Sequence, residues 1–394
     1  MTVHFAQVAR PSRRELGRVL FEAGAMSSDW AAAFAVVDRA DFLPDLMWPY
    51  DTERRVSVPV DRAVARAAWY AAADRDLPIV TQWDDGRHSG SEPGKVPTSS
   101  SSMPSVVYTL LRPLDAEHGM RVLDVGTGTG ETAGLLTHRC GRGRVTTMDV
   151  DHSVSLRARG RLYARGLYPE VVAGDGFMGH VATAPYDRVL ATVGLRRVPG
   201  PWIEQTRRGG LVVAPWGTHF SNADAVARLV VGDGAASGRF TRPVEFMKLR
   251  SQRLTPPRHD VYLAAGPMDD ADTSATAITE AEFLPGRYTA LPFALGLRVR
   301  GCLQTVAAKR DGARPVWFYG LGDRSWAAVM FVDGEEEARV WQSGPRRLWD
   351  EVEAAYHWWV DQSRPDHTRF GLTVTPEGET AWLDEPRNAW RLHC

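Results

Sequence analysis

Residues 121–130 read Arg121-Val122-Leu123-Asp124-Val125-Gly126-Thr127-Gly128-Thr129-Gly130, and the fold turns on this stretch. Val122, Leu123 and Val125 make an apolar run that stops at glycines on alternate positions. The pattern predicts a buried strand closing in a tight turn, with a helix starting near Glu131. Gly126, Gly128 and Gly130 let the backbone approach a ligand closely, and the helix start favours a polar or anionic group. Asp124, on the last part of the strand, puts a carboxylate where it meets a cation or hydroxyls. Close strand–helix packing accounts for such a turn equally well, so the turn alone does not specify a ligand.

Strands and helices keep alternating downstream. Strands are expected over 145–148, closing on Asp149, and over 170–173, ending in Gly174-Asp175-Gly176. Further strands are expected over 187–192 and 211–214, with helices over 154–165 and 202–206 between them. This order implies an α/β fold with a doubly wound parallel sheet whose ligands sit at the carboxyl ends of the strands. Asp124, Asp149, Asp175 and Thr192 mark four such ends. Residues 225–231 and 244–249 are expected to add two antiparallel strands. Upstream, helices are expected over 12–23, with Ser12 as cap and Glu15 three residues later, and over 28–40. Residues 84–99 are rich in turn formers and read as an exposed loop, with the serines 99–102 and a helix over 105–114 after it.

The texture changes near residue 253. Pro256-Pro257 interrupts the chain, 266–287 is small and acidic, and eight of the fourteen tryptophans follow. A helix is expected over 345–362, with Pro345 at its start and Leu348, Val352, Ala355, Tyr356 and Trp359 along one stripe. The expected division is 1–252, with an N-terminal helical segment 1–83, and a Trp-rich extension over 253–394. Those indoles are expected mainly to build the extension's own core, with a peptide clamp as the sharper alternative.

Composition narrows the function. The 394 residues carry a formal net charge of -1, which leaves no basic excess for a nucleic-acid partner. No apolar run suits a membrane span or a signal peptide, so a cytoplasmic setting is expected. Cys140, Cys302 and Cys394 are scattered and odd in number, with neither a disulfide framework nor metal-ligand spacing. No metal is expected, and the sequence carries no signal of oligomeric state.

Asp149 lies nineteen residues past Gly130, where a carboxylate can hold two ribose hydroxyls. Asp175-Gly176 suits an adenine edge, the Asp accepting from the exocyclic amine. An adenosine pocket follows, open to either a nicotinamide cofactor or S-adenosylmethionine.

Four segments, Val122–Gly130, Ala173–Phe177, Ala184–Arg188 and Gly209–Val213, resemble the protein-L-isoaspartate O-methyltransferase family and occur in its order. The family's Thr-Ile-Ser-x-Pro segment matches Ser100-Ser101-Ser102-Met103-Pro104 without a gap to Val122. The resemblance spans roughly 12–252 and implies a Rossmann-like class I methyltransferase fold with a C-terminal α+β extension. It also implies S-adenosyl-L-methionine as cofactor, with S-adenosyl-L-homocysteine as its product. The implied cofactor-binding residues are Ser101, Asp124, Gly126, Thr127, Gly128, Gly130, Asp149, Val150, Asp175, Gly176 and Thr192. Ser102 matches the serine between cofactor and substrate carboxylate, and Ser100, Ser102 and Trp216 are the implied substrate contacts. The sequence departs from the family at Ser100 and Ser101, in the long loop before them, at the bulky Trp216, and in the tail.

Tail segments such as Gly-Pro-Arg-Arg-Leu-Trp-Asp-Glu-Val resemble extended homologues from gene clusters for ribosomally made, modified peptides: lanthipeptides, lasso peptides and graspetides. The implied substrate is a modified precursor peptide, methylated on an aspartate whose ester then closes to a succinimide (aspartimide), with isoaspartate a further product. The implied role of Ser102 is to orient the carboxylate. A general isoaspartyl-repair enzyme is the nearest alternative. An NAD(P)-dependent oxidoreductase, which calls for Gly-x-Gly-x-x-Gly, and a non-catalytic binding module are alternatives of other classes.

Overall fold

Apolar runs put the described strands of this chain into three sheets in a computed structural model, which describes residue 8 and residues 10–265, 268–286 and 288–392. Cys394 and parts of the 266–287 stretch lie outside the described residues. Helix α1 (Pro11–Glu22) starts on a first-turn proline. Ser12 does not cap it: its hydroxyl donates to Asp74 at 2.7 Å, and Glu15 pairs with Arg18. The helix expected over 28–40 is only α2 (Ala31–Val36), because the Asp38 side chain accepts from the Ala40 amide and starts a separate 3₁₀ turn.

A small sheet follows. Strand β1 (Leu46–Asp51) pairs with the short β2 (Val56–Ser57) and β3 (Val60–Asp61); helix α3 (Arg66–Ala73) then leads to β4 (Ile79–Trp83). β4 pairs with β1 and with β5 (Pro97–Ser101), both antiparallel. The supposed loop therefore ends in a strand, with Ser99, Ser100 and Ser101 on it and Ser102 just past its end. Helix α4 (Pro104–Leu114) packs behind the main sheet.

That sheet begins with β6 (Val122–Val125), the strand read from residues 121–130. Helix α5 (Glu131–Cys140), β7 (Val145–Asp149), α6 (His152–Ala164), β8 (Glu170–Ala173), β9 (Tyr186–Ala191), α7 (Gly200–Glu204) and β10 (Thr206–Trp216) follow in alternation. β6 lies between β7 and β9, and the β6–β7, β7–β8, β6–β9 and β9–β10 pairs are parallel. The winding direction thus reverses between β6 and β9, which opens a crevice at their carboxyl ends. The doubly wound α/β fold expected from the sequence is present.

The next pair differs from expectation. β11 (Asp224–Val231) folds back as β12 (Ala236–Val244) through a turn at Gly232–Ala235, so residues 245–249 are not a strand. A Gly-Asp-Gly turn needs few residues, which brings the return strand in early.

The boundary at 252 does not divide the molecule into two cores. Beyond α8 (His259–Ala265), strand β13 (Asp272–Thr276), α9 (Glu280–Phe283), α10 (Leu291–Arg298), β14 (Cys302–Val306), β15 (Ala313–Gly320), β16 (Trp326–Val332), β17 (Ala338–Ser343) and α11 (Leu348–Asp361) build an α+β unit on the sheet β13-β17-β16-β15-β14. The chain then returns as β18 (Phe370–Thr375), β19 (Gly378–Leu383) and β20 (Ala389–Arg391). β18 pairs antiparallel with β12, making a ten-stranded sheet β20-β19-β18-β12-β11-β10-β9-β6-β7-β8. One core runs through Leu123, Val212, Phe240, Phe293, Phe370 and Leu383. Trp326, Trp349 and Trp382 are buried, and Trp358 and Trp390 enclose the Arg298 guanidinium at 4.6 and 4.9 Å. No described helix is long and apolar enough to cross a membrane.

Phe293 joins the two parts, with ring centroids 4.9 Å from Phe240, 6.1 Å from Phe370 and 6.4 Å from Trp216. Phe293→Ala is expected to cost about 3–5 kcal/mol in urea unfolding. Fluorescence and circular dichroism transitions should stay coincident, since tail and catalytic sheet share that core; two separated transitions would contradict it.

Candidate active site

A cleft of about 1370 Å³ opens where the sheet reverses. Its floor is the glycine turn. Gly126 has φ +101°, and a Cβ there would fall 2.9 Å from Val193 Cγ1 and 3.0 Å from Thr192 Oγ1. A side chain there would collide with the end of β9, so only glycine lets the turn lie this close to Thr192 and Val193. Thr192 holds the turn from β9, donating to the Gly126 carbonyl at 2.9 Å. The Gly128 amide donates to Asp149 Oδ2 at 3.0 Å, and the Asp151 amide donates to Oδ1 at 3.0 Å. Burial pushes the Asp149 carboxyl above its ordinary range, against these two amide bonds. Asp175 accepts from the Phe177 amide at 3.0 Å and from the Ser251 hydroxyl at 3.2 Å. Beside it, a Cβ on Gly176 would strike Val125 Cγ1 at 2.5 Å.

Gly126, Thr127, Gly128, Asp149, Val150, Asp175, Gly176 and Thr192 all line this cleft, together with Ser100, Ser101 and Ser102. Three expected residues do not. Gly130 backs onto α6, where a Cβ would meet Ala158 and Leu162 at 3.3 Å, so its role is close packing of the α5 start against α6. Asp124 is fully buried under the turn, accepting from the Thr147 hydroxyl at 2.8 Å, while its Oδ1 has no partner. Trp216 is also fully buried, packed on Phe240 and Phe293, and does not reach the substrate side of the cleft.

The serines sit on the opposite lip. Ser101 is committed to the framework: its hydroxyl accepts from Arg39 Nε at 2.9 Å and donates to Glu131 Oε2 at 3.1 Å. Arg39 also donates to the carbonyls of Leu77, Ser101 and Ser102 at 2.9, 3.2 and 3.0 Å. This buried guanidinium fixes the end of β5, and burial lowers its pKa while Glu131, 3.7 Å away, opposes the shift. Burial likewise pushes the Glu131 carboxyl up, with Arg39 opposing. Neither residue was singled out from the sequence; the only signal was an acidic first-turn residue directly after the glycine turn. The hydroxyls of Ser100 and Ser102 have no hydrogen-bond partner among the described residues. Ser102 is not a helix cap, because Asp76 accepts from the Ser105 amide at 2.8 Å.

This geometry has relatives. The family model described as "Protein-L-isoaspartate(D-aspartate) O-methyltransferase (PCMT)" matches residues 12–253. The chain belongs to that family. It is 35% identical over 153 residues to "Protein-L-isoaspartate O-methyltransferase 2" of Polaromonas sp. (strain JS666 / ATCC BAA-500), covering 39% of this chain and 72% of that one. It is 28% identical over 208 residues to the protein-L-isoaspartate O-methyltransferase of Thermococcus onnurineus, covering 52% of this chain and 94% of the other. A solved structure named protein-L-isoaspartate O-methyltransferase aligns with a TM-score of 0.52 at 20% identity, covering 95% of this chain and 100% of its own. Fold and family together make this a class I methyltransferase of the S-adenosylmethionine-dependent kind.

The last alignment corrects one expectation. The tail is not foreign to the protein-L-isoaspartate O-methyltransferase fold, since the likeness in fold runs through nearly the whole chain. The tail also reaches the site differently from a tryptophan clamp. It presents Tyr288, Leu303, Gln304 and Val306 to the cleft, and none of its tryptophans lines it.

Burial and the nearby Asp149 charge raise the Asp124 carboxyl to about 7, although the Thr147 bond opposes this. A carboxyl whose pKa rises on folding binds protons in the folded state that the unfolded chain has released. Stability should therefore fall as pH rises from about 4 to about 7. Asp124→Asn should make that fall shallower, leaving the share of the raised Asp149 and Glu131 carboxyls, which urea unfolding across this range would register.

Proposed function

We propose that this chain transfers a methyl group to the side-chain carboxylate of an aspartyl residue in a constrained, ribosomally made peptide. S-adenosylmethionine supplies the electrophilic methyl when bound. Asp149 would accept from its ribose hydroxyls and Asp175 from its adenine amine, with Gly126 and Gly128 leaving room for backbone approach. An aspartate with reference pKa near 3.9 is ionised at neutral pH and needs no general base. The protein's task is alignment and exclusion of water, worth at most about 7–11 kcal/mol. Ser102, whose hydroxyl has no hydrogen-bond partner among the described residues, donates to the acceptor carboxylate and orients it. The product ester is open to attack by the next backbone nitrogen, which expels methanol and leaves a succinimide.

The observation carrying this reading is that catalytic sheet and tail wall one cleft, with the Ser102 hydroxyl on its lip. The resemblance of the tail segments to peptide-modifying homologues supports a constrained substrate. The fold likeness across the tail to a protein-L-isoaspartate O-methyltransferase favours a second reading, general repair of isoaspartyl proteins.

Labelled S-adenosylmethionine and two peptides separate the readings. A cyclised aspartyl peptide should gain one methyl and then show a net loss of one water. Its kcat/KM should exceed that of a linear isoaspartyl peptide by about tenfold, a difference of about 1.4 kcal/mol. The reverse preference would establish repair. In either case Ser102→Ala should lower kcat/KM by roughly 10- to 100-fold, the loss of one hydrogen bond to a charged group.

A further inference from the structure

Across the glycine turn from the serines, the cleft wall carries unbalanced charge. Asp224, at the start of β11, is fully buried and meets two cations. Arg196 donates to its Oδ1 at 2.9 Å, and Lys248 Nζ donates to its Oδ2. The Arg196 and Lys248 side chains are only 10% and 11% exposed, yet both line the cleft. Two positive charges against one negative leave a unit of positive charge in a largely dry wall. The next anion, the exposed Glu245, acts on Lys248 less strongly than Asp224 does. Excess charge at such depth is unfavourable unless an opposite charge joins it.

The wall is shaped around this cluster. A Cβ on Gly217 would fall 2.3 Å from Asp224 Oδ1, and one on Gly194 would fall 2.9 Å from Lys248 Cδ. The stretch carrying Lys248 is pinned at both sides, the Gly194 amide donating to Met247 O at 2.8 Å and the Leu249 amide to Gly194 O at 2.9 Å. An ammonium has three donors. Asp224 takes one and the Phe246 carbonyl, at 2.9 Å, takes another, which leaves one for the cleft. Farther out, Arg242 lines the same wall, exposed and without an ion-pair partner among the described residues.

The serines and Lys248 flank the glycine turn from opposite sides. Gly128 lies against the Ser100 carbonyl, Gly126 against Val193, and Gly194 against Lys248. We infer that Lys248, held by Asp224 beside Arg196, is a positioning residue that anchors a second carboxylate of the peptide substrate, one flanking the residue at Ser102. The inference rests on the proposed reading for the substrate being an aspartyl peptide, and it adds that the peptide is acidic next to its acceptor.

Fluorescence anisotropy tests this without turnover. Two labelled cyclic aspartyl peptides, differing only in a flanking Glu or Gln, and the same pair in linear isoaspartyl form, are titrated into protein saturated with S-adenosylhomocysteine. In at least one backbone the Glu peptide should bind about tenfold more tightly at low salt. Lys248→Arg should keep most of that preference, and Lys248→Met should reduce the ratio to about one. Equal binding of Glu and Gln peptides by the unaltered protein overturns the inference whatever the variants do. Failure of every peptide to bind overturns it too, as does a ratio preserved in Lys248→Met. A Glu preference lost in Lys248→Met but accompanied by no methylation would sink the proposed reaction and leave the anchoring role standing.

Discussion

The pairing of β12 with β18 is the constraint on which the rest depends. Ala236 to Arg239 run antiparallel to Gly371 to Val374, so the last strands of the chain complete a sheet begun near residue 122. Phe240, Phe293 and Phe370 then pack into one core with the parallel strands. The intervening residues are thereby held over the carboxyl edge of the sheet, where Leu303 and Val306 of β14 reach the cleft. Without that pairing, the cleft would keep its floor, its serine lip and the Lys248 wall but lose the tail side chains that reach over them.

The serine lip is held by a different kind of force. Arg39 and Glu131 are charged, mostly buried and 3.7 Å apart, an arrangement that by itself contributes little stability once desolvation is counted. Its value is geometric. The guanidinium plane collects five backbone carbonyls and the Ser101 hydroxyl, which fixes where β5 stops and leaves Ser102 at the cleft. A lysine could not bridge so many acceptors from one planar group.

Much of this was legible from residues alone. The glycine turn, the strand ends at Asp149 and Asp175 and the order of parallel strands follow from local rules, because a buried strand and a φ-positive glycine each leave a mark at their own position. What was not legible depended on contacts distant in the chain. Asp124 looks like a site residue by position, but alternation on β6 turns it beneath the turn toward Thr147. Trp216 reads as a bulky wall until Phe240 and Phe293 are known to surround it. Residues 244–249 have the pattern of a strand, yet a tight hairpin had already supplied one, and they serve the cleft wall instead. The tail boundary was set by a change in composition, which says nothing about which strands later rejoin the sheet.

The Asp149 carboxylate has a consequence for how tightly anything can be held. Amides from Gly128 and Asp151 already point at its two oxygens, so the turn and the acid immobilise each other before a ligand arrives. The entropy of arresting the loop is spent during folding, and an incoming diol meets a preorganised acceptor with lone pairs to spare. Affinity at this end of the cleft is thereby uncoupled from loop ordering, which leaves discrimination among partners to the other end.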